Sequence, residues 1–414
     1  MSKVAEYVII GNGTAAVGCI EGIRSIDSDS TITVISGEEH HVYSRPLISY
    51  LLEGKTDLER MKYRPADFYE KNKVNVVYGK ASKIDTKKQE AILEGKGKFG
   101  YTKICICTGS SPFVPPFEGL DKVKKKFSFM TLDDALALEK VLTDKSRVLI
   151  VGAGLIGLKC AEGIAERVGS ITVCDLADRV LSSILDAECA AYMQKELEDH
   201  GVSFMLGDTA VKFDKNKAYM KSGAEVEFDI LVLAVGVRAE TEIAKQAGCD
   251  TNRGIIINTK METTTANIYA AGDCSEGYDS SISANRVLAI LPNAYMQGRC
   301  AGINMAGGSS EITDAIPMNS IGFFGLHCAT AGAYPEDGEI YEERTDKGIK
   351  RLYFKDSKLA GYMLIGDVNR AGIYTSLVRE KTVLDNEETE KVKKMPSLAI
   401  FSDEKRRTKL GGVV

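Results

Sequence analysis

Two glycine-rich hexapeptides carry the chemistry most visible in this chain. Gly11-Asn12-Gly13-Thr14-Ala15-Ala16 follows the apolar run Val8–Ile10, and Gly152-Ala153-Gly154-Leu155-Ile156-Gly157 follows Arg147–Val151. In each, the first glycine permits a turn too tight for a side chain, and the second lets backbone approach a pyrophosphate. The small sixth residue, Ala16 or Gly157, lets the next helix pack close to the strand, with its N–H groups facing the anion. A second strand follows each loop, Thr31–Ile35 and Ile171–Cys174. Glu38 lies 27 positions after Gly11, and Asp175 lies 23 after Gly152. A carboxylate there can accept ribose hydroxyls, although a solvated acidic turn is the alternative for the Glu38-Glu39 pair. Each unit closes on a late strand ending in glycine, Lys103–Cys107 into Thr108-Gly109 and Ile230–Val235 into Gly236. One such motif is weak; two in this order point to two dinucleotide-binding units.

Further groups could serve the same sites. Arg45, beside Pro46 in Tyr43-Ser44-Arg45-Pro46, is a fixed positive charge on a stiff segment, suited to an anionic ligand or to a surface ion pair. Ala271-Gly272-Asp273 ends a short strand and offers a carboxylate for a polyol hydroxyl. Leu291-Pro292-Asn293-Ala294 precedes a helix running to about Met305, whose positive end could face negative charge. The ten cysteines are scattered, without a CxxC pair, and only four histidines accompany them. They read as small buried hydrophobes in a reducing compartment, with no metal site. Cys105 and Cys107, two apart on a strand, are expected about 7 Å from each other, too far for an unstrained bridge.

The elements that must position these residues are spread over 414 residues, enough for two or three domains. A net charge of −5 argues against nucleic acid or anionic membrane as the main partner. No signal peptide is expected before the first strand and no apolar run approaches a membrane span, so the expected location is cytoplasmic. Leu47 opens a helix-like stretch, Val74–Tyr78 and Ala91–Leu93 read as strands around a solvated lysine-rich turn, and Phe113–Lys126 reads as a crossover linker. A helix follows from about Leu132 to Leu142. Late in the chain, Lys350–Phe354 and Leu359–Ile365 form an expected hairpin around Asp356-Ser357-Lys358, followed by a helix from about Asn369 to Lys381. The tail from Thr382 to Val414 alternates charge and is expected to be partly mobile, with Lys405-Arg406-Arg407 either solvated or docking an acidic partner.

Taken together, VIIGNGTAA, YSRPLISYLLEG, CICTGSSP, VGAGLIGLKCAE, AVGVRAET, NIYAAGDC and LPNAYMQGRCAGINMAG resemble the FAD-dependent pyridine nucleotide–disulfide oxidoreductase superfamily over nearly the whole chain. Within it the chain is similar to NADH:rubredoxin reductase and nitrite-reductase-type flavoproteins. The resemblance implies an α/β fold with two Rossmann-like domains and a C-terminal α+β interface domain. Residues 1–112 and 241–316 would form a discontinuous FAD domain, 113–240 an NAD(H) domain, and 317–414 the last domain with its charged tail. Gly11, Gly13, Thr14, Ala15 and Ala16 would hold the FAD pyrophosphate, Glu38 the adenosine ribose, and Ala81 the adenine. Arg45 and Pro46 would line the flavin side, Thr108 and Gly109 would close the site, and Gly272-Asp273 would bind the ribityl chain. Asn293 and Ala294 would present the helix start to the flavin ring. For NAD(H), Gly152, Gly154, Leu155 and Gly157 would take the pyrophosphate, Ile156 would pack near the nicotinamide, and Asp175, Val235 and Gly236 would complete the site.

Two departures from the pattern bear on function. No cysteine lies between Cys19 and Cys105, where relatives carry redox cysteines, so dithiol chemistry is not expected. Lys159 stands where many relatives place a glutamate near the nicotinamide, and is the one catalytic candidate, as a charge favouring reduced flavin. Hydride transfer between nicotinamide and flavin needs no protein acid or base. The implied function is therefore an NAD(P)H:acceptor oxidoreductase exchanging single electrons with an iron–sulfur protein such as rubredoxin, a ferredoxin or an iron–sulfur subunit. The alternatives are an NADH oxidase using oxygen and an electron-input subunit of a larger iron–sulfur enzyme; a homo-oligomer is compatible with each. Asp175 favours NADH over NADPH, because a carboxylate repels a 2′-phosphate, with Arg179 as the opposing feature.

Overall fold

Every residue of Tyr7–Ile10 is buried, as expected of a parallel strand covered on both faces. In the computed structural model, which describes residues 7–346, 348–401 and 403–410, this strand is the middle of a five-stranded sheet. The order is Ile268–Ala270, Lys103–Ile106, Tyr7–Ile10, Ile32–Ser36, Val74–Tyr78. All pairings are parallel, with Tyr7 opposite both Ile32 and Lys103. Helix α1 (Thr14–Arg24) leaves the first glycine loop, and all but two of its residues are buried.

A second parallel sheet repeats this plan. Its order is Val202–Leu206, Ser170–Asp175, Arg147–Val151, Ile230–Leu233, Lys126–Phe127. Helix α2 (Leu155–Ile164) leaves the second glycine loop. The outer strands Val202–Leu206 and Lys126–Phe127 were not expected, the latter lying at the end of the stretch read as linker. Likewise, the lysine-rich turn after Tyr78 holds a strand, Ala81–Asp85, paired antiparallel with Glu90–Leu93. The exposed turn is confined to the four residues Thr86–Gln89, with Lys87 and Lys88 at its tip.

Helix α3 (Leu291–Met305) packs along α1 through glycines. A Cβ on Gly18 or Gly22 of α1, or on Gly298 or Gly302 of α3, would lie within 2.3 Å of the other helix's backbone. Two glycines four apart on each helix thus place the two backbones in direct contact, as only glycine can.

The described residues form two compact units. One takes in those up to Ser183 with Leu197–Tyr278 and Ala284–Thr313; the other takes in Ile184–Glu196, Asp279–Ser283 and those from Asp314 onward. The second unit is built on an antiparallel sheet, in the order Met318–Phe323, Leu326–Gly332, Lys358–Ile365, Gly348–Lys355, Glu339–Thr345. The expected hairpin is present, and Asp356 and Ser357 at its tip both have positive φ, 50° and 56°, matching the twist of the flanking strands. Leu352, Tyr362, Leu364, Tyr374 and Leu377 form the core under the helix Ala371–Glu380. On the polar side of this unit, Arg351 is 8% exposed and pairs with Asp186, Glu188 and Glu342, fixing the Ile184–Glu196 segment to the sheet.

The tail differs from its expected partial mobility. Asp385 caps the helix Asn386–Lys394 in a reciprocal bond pair with Glu388, and Val392 and Phe401 are buried in the unit's core. A charged stretch is held here by two apolar anchors and a cap. Lys405-Arg406-Arg407 falls in the helix Asp403–Leu410, where Arg406 pairs with Asp403; the side chain of Lys405 and residues 411–414 lie outside the described residues.

Candidate functional site

The first glycine loop opens on a cavity of about 510 Å³, a usual size for a small-molecule site. Its wall includes the expected residues Gly11, Gly13, Thr14, Ala15, Glu38, Arg45, Ala81, Thr108, Gly109, Gly272, Asp273 and Ala294. Gly11 has φ +111°, and a Cβ there would lie 2.0 Å from the Cys107 carbonyl oxygen, so the loop is pressed onto the neighbouring strand end. A Cβ at Gly13, Gly37 or Gly109 would meet nothing within 4 Å, so the cradle is open where a ligand's backbone contacts belong. The remaining expected residues stand behind this wall. Ala16 is fully buried beneath the loop, Pro46 caps the helix Leu47–Leu52, and Asn293 donates from Nδ2 to the Leu288 carbonyl at 3.2 Å.

The polar wall is more tightly paired than the sequence indicates. Arg45 forms an ion pair with Glu38 and donates to the Met130 carbonyl at 3.0 Å. Tyr43 donates to Glu38 Oε2 at 2.6 Å and accepts from the Leu132 N–H at 2.9 Å. Arg45 is thus ion-paired and also lines the cavity. Burial pushes the Asp273 carboxyl up, while the Arg45 charge opposes this. Tyr43, His40, His41, Asn12 and Ser110 also line the cavity and were not assigned from sequence. The signal available was the polar run Glu38–Tyr43 directly after a buried strand.

At the second loop, Gly152 has φ +118°, and a Cβ on it would lie 2.2 Å from the Ala234 carbonyl oxygen. On Gly157 it would lie 2.0 Å from the Gly152 carbonyl oxygen, while Gly154 faces open space. Leu155 and Ile156 form the first turn of α2, and Val235 and Gly236 follow the strand Ile230–Leu233 beside the loop. Asp175 ends its strand with Oδ2 accepting from the Ala153 N–H at 2.7 Å and Oδ1 from Ala177 at 2.8 Å. It fixes the loop's shape, and each oxygen retains a lone pair for a further donor. Arg179 pairs with Asp178 at 2.8 Å.

Lys159 lies on α2, ion-paired with the buried Glu162 and with Nζ 4.9 Å from the centroid of the Tyr50 ring. Its charge is therefore compensated locally. The cysteines are all free and buried. The Cys105 and Cys107 sulfurs lean to within 3.5 Å of each other, nearer than the residue spacing of about 7 Å suggests, and both remain free as expected. The strand ends at Ile106, so Cys107 is not held in the extended repeat on which the 7 Å figure rests. Both thiols lie well above their ordinary range, which keeps them protonated and unreactive: the bond to Cys107 lowers Cys105 but is outweighed by its contact with Cys19 and by burial, while the bond to Cys105 and burial both raise Cys107. Among the described residues, no helix is long and apolar enough to cross a membrane.

Comparison with known proteins agrees with this geometry. Residues 5–298 match the family model described as pyridine nucleotide-disulphide oxidoreductase. The chain is 30% identical over 393 residues to the NADH-dependent phenylglyoxylate dehydrogenase subunit epsilon of Aromatoleum evansii, covering 92% of each. It is 31% identical to the assimilatory nitrate reductase electron transfer subunit of Bacillus subtilis, with 92% of this chain covering 50% of that longer relative. In fold it is similar to a crystal structure of a ferredoxin reductase from Rhodopseudomonas palustris, with a TM-score of 0.86 at 21% identity, over 96% of this chain and 98% of that one. The chain belongs to the pyridine nucleotide-disulphide oxidoreductase family and is an FAD-dependent NAD(P)H oxidoreductase.

Proposed function

We propose that FAD occupies the cavity at Gly11–Ala16, that NADH docks on Gly152–Gly157, and that electrons are exchanged with an iron–sulfur protein. On this reading residues 1–112 and 241–316 serve FAD, 113–240 serve the nicotinamide nucleotide, and 317–414 form the remaining domain. The observation that carries it is the presence of two glycine-loop sheets in one unit, of which the first opens on a cavity with a paired cationic wall. Bound FAD supplies hydride acceptance and one-electron release. The chain's own part is placement and charge. The N–H groups opening α1 face the cradle, Arg45 offers positive charge, and Asp273 accepts from a polyol hydroxyl. Leu291 and Ala294 bring the positive start of α3 to the cavity wall. With all ten thiols buried, the exit for electrons is a separate carrier, and free cysteines suit a reducing compartment such as the cytoplasm.

Stopped-flow reduction by NADH, followed by reoxidation, tests the reading. Reoxidation by ferredoxin or rubredoxin is expected to outpace that by oxygen; rapid turnover with oxygen alone would establish the NADH oxidase instead. The names of two relatives, each a subunit, favour the variant in which this chain feeds electrons into a larger iron–sulfur enzyme. Because Val392 and Phe401 are core residues, the full chain is needed for that test. Co-purification with an iron-containing partner supports it, and isolation of a chain fully active by itself counts against it.

Two residue tests follow here. Asp175→Ser is expected to raise KM for NADH, since the loop loses its tie to Ala153, and to narrow the NADH over NADPH ratio of kcat/KM by roughly tenfold. A wild-type preference for NADPH would overturn the assignment. Lys159 is the remaining catalytic candidate. Lys159→Met should shift the flavin midpoint potential downward if its charge reaches the flavin, and an unchanged potential removes it from the mechanism.

A further inference from the structure

We propose that Gln297 is the positioning residue for Asp273, holding the Gly272-Asp273 turn in place before a flavin's polyol chain arrives. The inference rests on the reading of this cavity as the FAD site. It begins at the end of the edge strand Ile268–Ala270. The Ala271 N–H still bonds across the sheet, to the Ile106 carbonyl at 3.0 Å. One residue later the chain turns away from the ladder, with Gly272 at φ +84°. A buried N–H that leaves a sheet without finding an acceptor costs as much as a lost hydrogen bond. Gln297, on α3, supplies the acceptor: its Oε1 receives the Gly272 N–H at 2.8 Å. Of the two ends of that side-chain amide only the oxygen can accept, so this bond fixes which way the amide faces. The side chain is 5% exposed, which leaves water little access to replace it.

The placement of Asp273 follows from that bond. Ser275 closes the turn from the other side, with its N–H and its hydroxyl each 2.8 Å from the Gly272 carbonyl oxygen and the hydroxyl also 3.0 Å from Gln297 Oε1. A Cβ on Gly272 would lie 3.0 Å from the Ala15 methyl and 3.5 Å from the Ala294 methyl, so the turn is wedged between the starts of α1 and α3. Ala15, Gly272, Asp273 and Ala294 all line the cavity, whereas Gln297 is not part of its wall. Among the described residues, the bond from Gln297 is the one hydrogen bond that ties the Gly272-Asp273 backbone to another element. Gln297 therefore reaches a ligand only through the turn it holds. Helix α3 thereby serves the cavity twice, with its own start and with the carboxylate it sets opposite the polyol.

A double-mutant cycle separates positioning from packing. FAD is titrated into the full chain after its flavin is stripped, for wild type, Gln297→Met, Asp273→Ala and the double variant. Methionine fills the space of glutamine without the amide oxygen. Each single change is expected to raise the FAD Kd about tenfold, the cost of one hydrogen bond lost or misplaced. The double variant is expected to stay within about threefold of the weaker single one, because the placement of a carboxylate no longer matters once it is gone. A further loss beyond that, toward the roughly hundredfold of two independent effects, would show that Gln297 only packs α3 and would overturn the proposal. Unchanged FAD affinity in either single variant would overturn it as well. If Gln297→Met does not fold, hydrogen exchange of the wild-type chain decides. The Gly272 N–H is bonded without any ligand, so its exchange in the flavin-free chain is expected to be slowed at least about a hundredfold relative to an open amide. Fast exchange there would reject the assignment. A wild-type chain that binds no FAD rejects the cavity's identity itself, which is a different failure.

Discussion

Replacing Gly298 by alanine is expected to lower the stability of the first unit by about 4 kcal/mol or more and to yield protein lacking flavin. In an ordinary helix interior the same change stabilises by about 1 kcal/mol, because glycine loses more backbone freedom on folding. Here the added carbon would sit 1.9 Å from the Ala15 carbonyl oxygen and 2.8 Å from its carbonyl carbon. Both are backbone atoms, so no side chain can yield. Relief requires moving α1, which carries the end of the glycine loop with it. Gly13→Ala makes the contrasting case. Its Cβ would meet nothing within 4 Å, and its φ of −102° is open to alanine. That variant should fold normally yet bind FAD at least about tenfold more weakly, because the methyl occupies the anion's space. Urea unfolding of the flavin-free proteins and visible absorbance of the purified ones give both readouts. Similar unfolding midpoints for the two variants would refute the helix-contact argument.

The second large effect is expected at Arg351. Arg351→Met should destabilise the second unit by about 2–4 kcal/mol, below the most costly buried pairs because the three carboxylates keep some contact with solvent. Removing the cation leaves Asp186, Glu188 and Glu342 facing one another. Bonds from Arg344 and Arg351 hold Glu188 and Glu342 below their ordinary range. Burial works against ionisation of Asp186, but the Cys189 N–H and Arg351 outweigh it. Carboxylates depressed in the folded state contribute stability above their unfolded values and lose it as pH falls through the folded ones. The gap in unfolding free energy between wild type and Arg351→Met should therefore be widest near neutrality and shrink below about pH 4. A gap that does not change between pH 7 and pH 3 would show that the network acts through packing alone.

Both glycine loops were legible from sequence because strand, loop and helix are consecutive, and their geometry is enforced by neighbours in the chain. The α1–α3 contact was not. Its spacing, Gly18 with Gly22 and Gly298 with Gly302, is visible, but nothing local says that two helices so far apart in sequence are partners. Ala81–Asp85 escaped notice because only Ile84 is fully buried, so no alternation marks it, and its pairing with Glu90–Leu93 makes it a strand. The tail read as solvent-facing because its charges outnumber its anchors, yet Val392 and Phe401 suffice to hold it. At the cavity, the positions of Glu38 and Arg45 were readable and their mutual pairing was not, since spacing gives no rotamer.

The edge strand Ile268–Ala270 and helix α3 complete the sheet and helix pair begun by Tyr7–Ile10 and α1. During synthesis, everything between Gly109 and Ile268 must leave the ribosome before that edge can pair. At about 5–20 residues per second this delay is on the order of ten to thirty seconds. Throughout it the strand Lys103–Ile106 has an open edge, and α1, about three turns long, has its Gly18 and Gly22 face without its mate. The intervening sheet around Arg147–Val151 has all its strands by Leu233 and can form first. The earliest-made part of the cofactor cradle is thus the last to become whole.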